Sequence, residues 1–242
     1  MQYIRSVIFV VQMYLAMVVA ALVFGPWALF SRTGAYRGVN TYCRYVRWTA
    51  RVICGLHSEL RGPVPHAEVL IASKHQSFFD IIILCSELRR PKFIMKDELR
   101  FAPILGWYAQ RIGCVPVKRG KRAAAMRKMV QEVTSGTAPA GQLVIYPQGT
   151  RVAPRVKMPY KTGTAVLYHE TGQPCVPAAT NVGLFWPRRG MLRKPGLAVV
   201  EFLETLPPGL PRAEFMATLE DRIETASDRL MDAAEGRTDG VH

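Results

Sequence analysis

From Ser6 to Phe30 the chain carries no charged side chain, and Gln12 is the only strongly polar one. Crossing the hydrocarbon of a bilayer takes roughly 20 apolar residues, so this segment is long enough to span it. It could also pair with the next segment as a hairpin that dips into one leaflet. A secretory signal has a shorter apolar core, roughly 7 to 15 residues, ending at a small-residue cleavage site. Here the run ends in Gly25-Pro26-Trp27. The Gly-Pro pair is expected to break the helix near one interface, and Trp27 suits that interface. Arg5 precedes the run, whereas Arg32, Arg37, Arg44, Arg47 and Arg51 follow it. Cations concentrate on the cytoplasmic flank, which predicts a membrane protein whose body lies on the cytoplasmic face.

Residues 40–56 read as a second helix. Arg44, Arg47 and Arg51 share one face, and Tyr45, Trp48 and Val52 cover much of the rest. Such a helix either lies in the headgroup layer or packs as an ordinary surface helix. Residues 1–60 are therefore assigned to membrane attachment and 61–242 to a catalytic-sized α/β domain.

Short β-rich runs alternate with helical ones from residue 68 onward. Strands are expected at 69–72, 92–95, 114–117, 143–146, 175–180 and 197–203. Helices are expected at 79–88, 103–112, 121–133, 162–170 and 212–234. That alternation predicts an α/β fold with a mostly parallel sheet flanked by helices, preceded by a membrane-attaching helix or helical hairpin.

The net charge of +14 calls for an anionic partner: a phosphorylated substrate, an anionic membrane surface, an acidic carrier protein or nucleic acid. No nucleic-acid-binding module is visible, and the apolar N-terminal run does not suit one. Five widely spaced cysteines without a CxxC argue against a disulfide framework or a zinc site. The chain also lacks a GxSxG elbow, an HExxH metal motif, and the glycine patterns of dinucleotide and P-loop sites.

Three clusters carry chemistry. His75 and Asp80 follow the 69–72 strand and open the next helix. Five residues apart on one helix they would diverge by about 140°. With His75 in the loop and Asp80 in the first turn they can meet, and Asp80 can then fix the tautomer of a general base. Ser77 and Asp80 equally fit a helix-capping pair. Lys118 and Arg119 follow the 114–117 strand and suit either a phosphate or a solvated loop. In Tyr146-Pro147-Gln148-Gly149-Thr150-Arg151, Gly149 permits close approach of a ligand, and Thr150 and Arg151 supply donors. Lys161, before the 162–170 helix, is a further cation.

In order and position these elements resemble the lysophosphatidic acid acyltransferases of the glycerolipid acyltransferase superfamily. The first family motif, HxxxxD, reads His75-Gln76-Ser77-Phe78-Phe79-Asp80. The second resembles Gly113 to Arg119. The third, usually Phe-Pro-Glu-Gly-Thr-Arg, is Tyr146 to Arg151. The fourth resembles Val176-Pro177-Ala178. The resemblance implies a 1-acylglycerol-3-phosphate O-acyltransferase of phospholipid biosynthesis that makes phosphatidic acid. It implies His75 as base and Asp80 as its partner, with Lys118, Arg119, Gly149, Thr150 and Arg151 at the substrate phosphate. Gln76, Ser77, Pro147, Gln148, Val176 and Pro177 are expected in support. No metal or resident cofactor is implied, and acyl-CoA or acyl carrier protein would be the co-substrate. Gln148 departs from the usual Glu and cannot act as a base. The alternatives are another lysolipid acceptor, or an inactive phospholipid-binding membrane protein.

Overall fold

The computed structural model describes residues 1–117, 131 and 141–237. The predicted helix at 121–133 lies almost wholly outside them. Two long helices, α1 (Gln2–Phe30) and α2 (Arg32–Cys54), form an N-terminal hairpin. Strands β1 (Leu56–Arg61) and β2 (Leu70–Ser73), helix α3 (Phe79–Glu87), strand β3 (Pro91–Lys96) and helix α4 (Leu105–Arg111) follow. Then come β4 (Val115–Val117), β5 (Gln142–Ile145), α5 (Gly163–Thr171), β6 (Cys175–Thr180), β7 (Gly196–Phe202) and α6 (Arg212–Glu235).

The described strands form one sheet in the order β1-β7-β6-β2-β5-β3-β4. All neighbours are parallel except β6 and β7, so the expected α/β class and mostly parallel sheet are borne out. The central strands are buried on both faces, as parallel strands covered by helices must be. Alternate side chains serve two layers. Ile71 and Val144 face the layer built with α1, α2 and α3, whereas Leu70, Ala72, Leu143 and Ile145 pack against α5 and α6.

Two local expectations are corrected. The helix is not broken at Gly25-Pro26; α1 runs on to Phe30 with Pro26 inside it. Its last turn is held from outside. Arg111 donates to the carbonyls of Ala28 (2.7 Å) and Leu29 (2.5 Å), which a helix end leaves without intrahelical partners. The second helix begins at Arg32 rather than residue 40, because Ser31 turns the chain in a single extended residue and its Oγ accepts from Thr33 N. It ends at Cys54, where Gly55 takes a left-handed conformation (φ 70°), and Leu56 already belongs to β1.

The hairpin is tight because Gly34 and Gly38 face α1. A Cβ on Gly34 would stand 2.7 Å from Trp27 Cγ, and one on Gly38 2.9 Å from Phe24 Cβ. Small residues four apart permit such approach. One face of α1 remains exposed through Ile4, Ile8, Val11, Leu15, Val18 and Leu22, the spacing of a single helix face. Trp48 and Val52 of α2 are exposed as well. Among the described residues α1 alone is long and apolar enough to cross a membrane. A continuous apolar face of this length is suited to lipid.

Candidate active site

The carboxyl end of a central parallel strand is where ligands bind in open α/β sheets, and β2 ends there with Ser73. Lys74 N still donates to Ala178 O of β6 (2.8 Å), which fixes the point of departure. The next residues cross to α3 and bring His75 and Asp80 together. His75 Nδ1 lies 2.9 and 3.1 Å from the two Asp80 carboxylate oxygens. Asp80 is fully buried, and its Oδ2 also accepts from the backbone N–H groups of Gln76 and Ser77, each at 2.9 Å. Ser77 Oγ in turn accepts from Phe79 N (3.1 Å). One carboxylate thus both caps the turn and orients the histidine, so the two readings of this segment coexist.

Tyr146, just past β5, lies flat on His75, with ring centroids 3.9 Å apart and an interplanar angle of 18°. Its hydroxyl approaches Asp80 Oδ1 at 3.4 Å. Burial, and next the negative charge of Asp80, push this phenol well above its ordinary pKa, so it stays a neutral donor. The following loop is bound to the same histidine, as Val152 N donates to His75 O (2.8 Å).

A groove of about 1470 Å³ opens on this cluster. Met17, Ala21, Gly38 and Tyr42 of the hairpin, Ile82 of α3 and Tyr108 of α4 line its apolar part. Around His75 it is lined by Gly149, Thr150, Arg151, Lys161 and Arg188. Gly149 sits at φ 67° and donates to Tyr146 O (2.8 Å). A Cβ there would stand 2.7 Å from Lys161 Nζ, so the glycine makes room for that ammonium. Arg188 donates to Arg151 O (3.1 Å), and Arg151 approaches Arg188 O (3.5 Å). Two guanidinium groups are held beside one groove with no carboxylate pairing either among the described residues, an arrangement that suits an anion.

Of the sequence-predicted residues, His75, Gly149, Thr150 and Arg151 line the groove together with Pro147. Asp80 stands behind His75. Gln76 is buried and turned away, accepting from Gly183 N (2.9 Å) and reaching Met231 Sδ of α6 (3.7 Å). Gln148 is buried, donates to Met158 O (3.0 Å), and leaves Oε1 without a partner among the described residues. Val176 and Pro177 lie in β6, in register with Ile71 and Ala72, and support the sheet behind the site. Lys118 and Arg119 lie outside the described residues.

The motifs include Tyr146 without giving it a role, and they do not include Arg188. Tyr146 was legible by parity, since Ile145 faces α5 and α6 and the next residue must face the other way. Arg188 arrives on the β6–β7 connection, and nothing local in the sequence marks it.

The family model for acyltransferases matches residues 57–181. The 1-acyl-sn-glycerol-3-phosphate acyltransferase of Pseudomonas aeruginosa is 28% identical over 203 residues, which cover 81% of this chain and 77% of that one. The lyso-ornithine lipid O-acyltransferase of Rhodobacter capsulatus is 29% identical over 121 residues, covering 50% and 42%. The crystal structure of PlsC from Thermotoga maritima, a 1-acyl-sn-glycerophosphate acyltransferase, has the same fold. Its TM-score is 0.80 at 19% identity, covering 95% of this chain and 98% of that one. The resemblance read from the four motifs is borne out by these likenesses, and the chain belongs to the acyltransferase family.

Proposed function

We propose that this enzyme moves a fatty acyl group from a thioester to the free hydroxyl of 1-acylglycerol 3-phosphate, giving phosphatidic acid. The observation that carries the reading is the His75–Asp80 pair, set in one groove between an apolar, hairpin-lined part and the cations Arg151, Lys161 and Arg188. Asp80 holds His75 Nδ1 as the protonated nitrogen, which leaves Nε2 as the base. His75 takes the proton of the acceptor hydroxyl as its oxygen attacks the thioester carbonyl. The carbon–sulfur bond then breaks, and the imidazolium returns the proton to the departing thiolate. No resident cofactor is needed for these steps.

The cations suit the phosphate of the acceptor, Lys118 and Arg119 directly follow the groove-lining Val117 in the sequence, and the apolar part of the groove suits an acyl chain. Both acyl-CoA and acyl carrier protein are anionic and match the basic chain. The hairpin is tied to the body at both ends: Gln2 donates to Cys54 O and Arg193 O, and Arg111 binds the far end of α1. That attachment favours a hairpin lying in one leaflet, and the Arg-rich flank after α1 favours the cytoplasmic face for the catalytic domain.

The test supplies detergent-purified enzyme with 1-acylglycerol 3-phosphate and acyl-CoA, then acyl carrier protein, and measures phosphatidic acid. His75→Ala is expected to lose at least about 10²-fold in rate. Full activity in that variant would overturn the mechanism. The likeness to a lyso-ornithine lipid acyltransferase supplies the second reading, favoured if wild type acylates only that zwitterionic acceptor.

A further inference from the structure

Parity along β2 continues past its end. Leu70 and Ala72 face α5 and α6, and Lys74 keeps to that side while His75 turns to the groove. Lys74 is buried (3% exposed), and its ammonium lies 2.6 Å from both carboxylate oxygens of Glu224, in the middle of α6. Glu224 Oε1 also accepts from Tyr160 OH (2.8 Å). Tyr160 precedes Lys161, whose backbone N–H donates to Pro147 O (2.9 Å) and whose ammonium rests against Gly149. A single carboxylate therefore holds the residue before the base and the residue before a groove cation. Glu224 lies well beyond the segments that carry the family motifs.

With Lys74 buried and Glu224 20% exposed, this ion pair is a poor way to gain stability, because desolvation of the buried ammonium offsets much of the Coulomb attraction. It is an effective way to hold two segments in one geometry, since among the described residues Glu224 is the one carboxylate paired with the ammonium, and that carboxylate is shared with Tyr160. We propose that Glu224 is a positioning residue which sets His75 through Lys74 and the acceptor-binding cation Lys161 through Tyr160. The proposal deepens the acyltransferase reading above and rests on it.

The two bonds predict separable effects, measured with full-length enzyme in detergent as kcat, KM for 1-acylglycerol 3-phosphate, and melting temperature. Lys74→Met should lower kcat alone. Tyr160→Phe, which removes one hydroxyl, should raise the acceptor KM roughly tenfold, the worth of one hydrogen bond, and leave kcat unchanged. Glu224→Gln should do both, with kcat falling on the order of 10²-fold, as small misplacements of catalytic groups do. A merely structural carboxylate would lower the melting temperature while kcat per folded molecule and KM stayed at wild-type values, and that result overturns the proposal. Should Glu224→Gln fail to fold, Tyr160→Phe decides alone, and an unchanged KM refutes the assignment. A wild-type enzyme inert towards this acceptor sinks the acceptor reading instead, and the same variants are then compared on lyso-ornithine lipid.

Discussion

Tyr146 lies parallel to His75 at 3.9 Å, and its hydroxyl turns to the same Asp80 oxygen that holds His75 Nδ1. The ring therefore limits tilt of the imidazole while the carboxylate limits its rotation. The two contacts are unequal. At 3.4 Å the hydroxyl contact is long for an O–H···O bond, whose usual distance is about 2.7–2.8 Å. Tyr146→Phe keeps the stack and should retain kcat within about fivefold, the upper range for one weak hydrogen bond. Tyr146→Ala removes the ring and should lower kcat much further, at a cost in stability below the about 3–5 kcal/mol of a fully buried ring, because Tyr146 is half-buried at the groove wall. Equal rates in the two variants would show that the stack does nothing for catalysis.

Tyr146 and Tyr160 also predict an alkaline limit to stability. Burial, followed by the neighbouring carboxylates Asp80 and Glu224 respectively, raises both phenols well above their ordinary pKa. In the unfolded chain they ionise near pH 10. Above that pH the unfolded state binds fewer protons than the folded one, so stability falls as pH rises. The melting temperature should hold up to about pH 9.5 and drop beyond it. Removing either phenolic hydroxyl, as in Tyr146→Phe or Tyr160→Phe, should make the drop shallower. An equally steep drop in both variants would assign it to other groups.

Parity and position make the centre of the site readable in the sequence. Strand β2, its loop and the first turn of α3 follow from local pattern, which is why His75 and Asp80 meet where the spacing predicts. Strand β1 is not legible in the sequence because its alternation is broken by polar residues on an edge: His57 is exposed, and Ser58 and Glu59 are half-buried. The early start of α2 depends on Ser31 and on Gly34 fitting against Trp27, a tertiary contact that propensity does not encode. Arg188, ten residues past the fourth motif, and Glu224, in α6, lie outside the motifs, and what they touch is set only in three dimensions.

Gln148 is tested by restoring the usual acid. Its amide donates to Met158 O at 3.0 Å. A carboxylate in that place would lose the donor and face a carbonyl oxygen inside the protein, which costs about 1–3 kcal/mol or more when the group is charged. Gln148→Glu should melt earlier than wild type at pH 8. Because the protonated acid can donate again, its folded pKa is raised. The deficit should therefore shrink as pH falls towards that pKa. A variant as stable as wild type at pH 8 would show that the loop rearranges to accept the charge.

Gly149 joins backbone conformation to the cation beside it. A non-glycine residue in the left-handed region costs roughly 1–2 kcal/mol. At φ 67° an alanine Cβ would also stand 2.7 Å from Lys161 Nζ. Gly149→Ala should displace that ammonium and raise the KM for a phosphorylated acceptor. The rise should be smaller in a Lys161→Ala background, where nothing remains to displace. Equal rises in both backgrounds would separate the glycine from the lysine.

The hairpin allows a further separation, between attachment to the membrane and shaping of the groove. A side chain at Gly34 would meet backbone as well as the indole: its Cβ would stand 2.8 Å from the carbonyl carbon of Trp27 and 2.9 Å from Ala28 N. Main-chain atoms cannot swing aside, so Gly34→Leu must push α2 away from α1. Overpacking typically costs 1–3 kcal/mol, and a backbone clash belongs at the upper end of that range. Gly38, Val39 and Tyr42 of α2 line the groove opposite Met17 and Ala21 of α1. Turnover should therefore fall more for long acyl donors than for short ones, because only the long chain needs the hairpin-lined part. The exposed face of α1 at Ile4, Ile8, Val11 and Leu15 is untouched, so Gly34→Leu should still sediment with membranes in high salt, which screens charge but spares apolar contact. Release from the membrane would mean that the hairpin must be closed to bind lipid. Equal loss with short and long donors would mean that the apolar part of the groove does not hold the acyl chain.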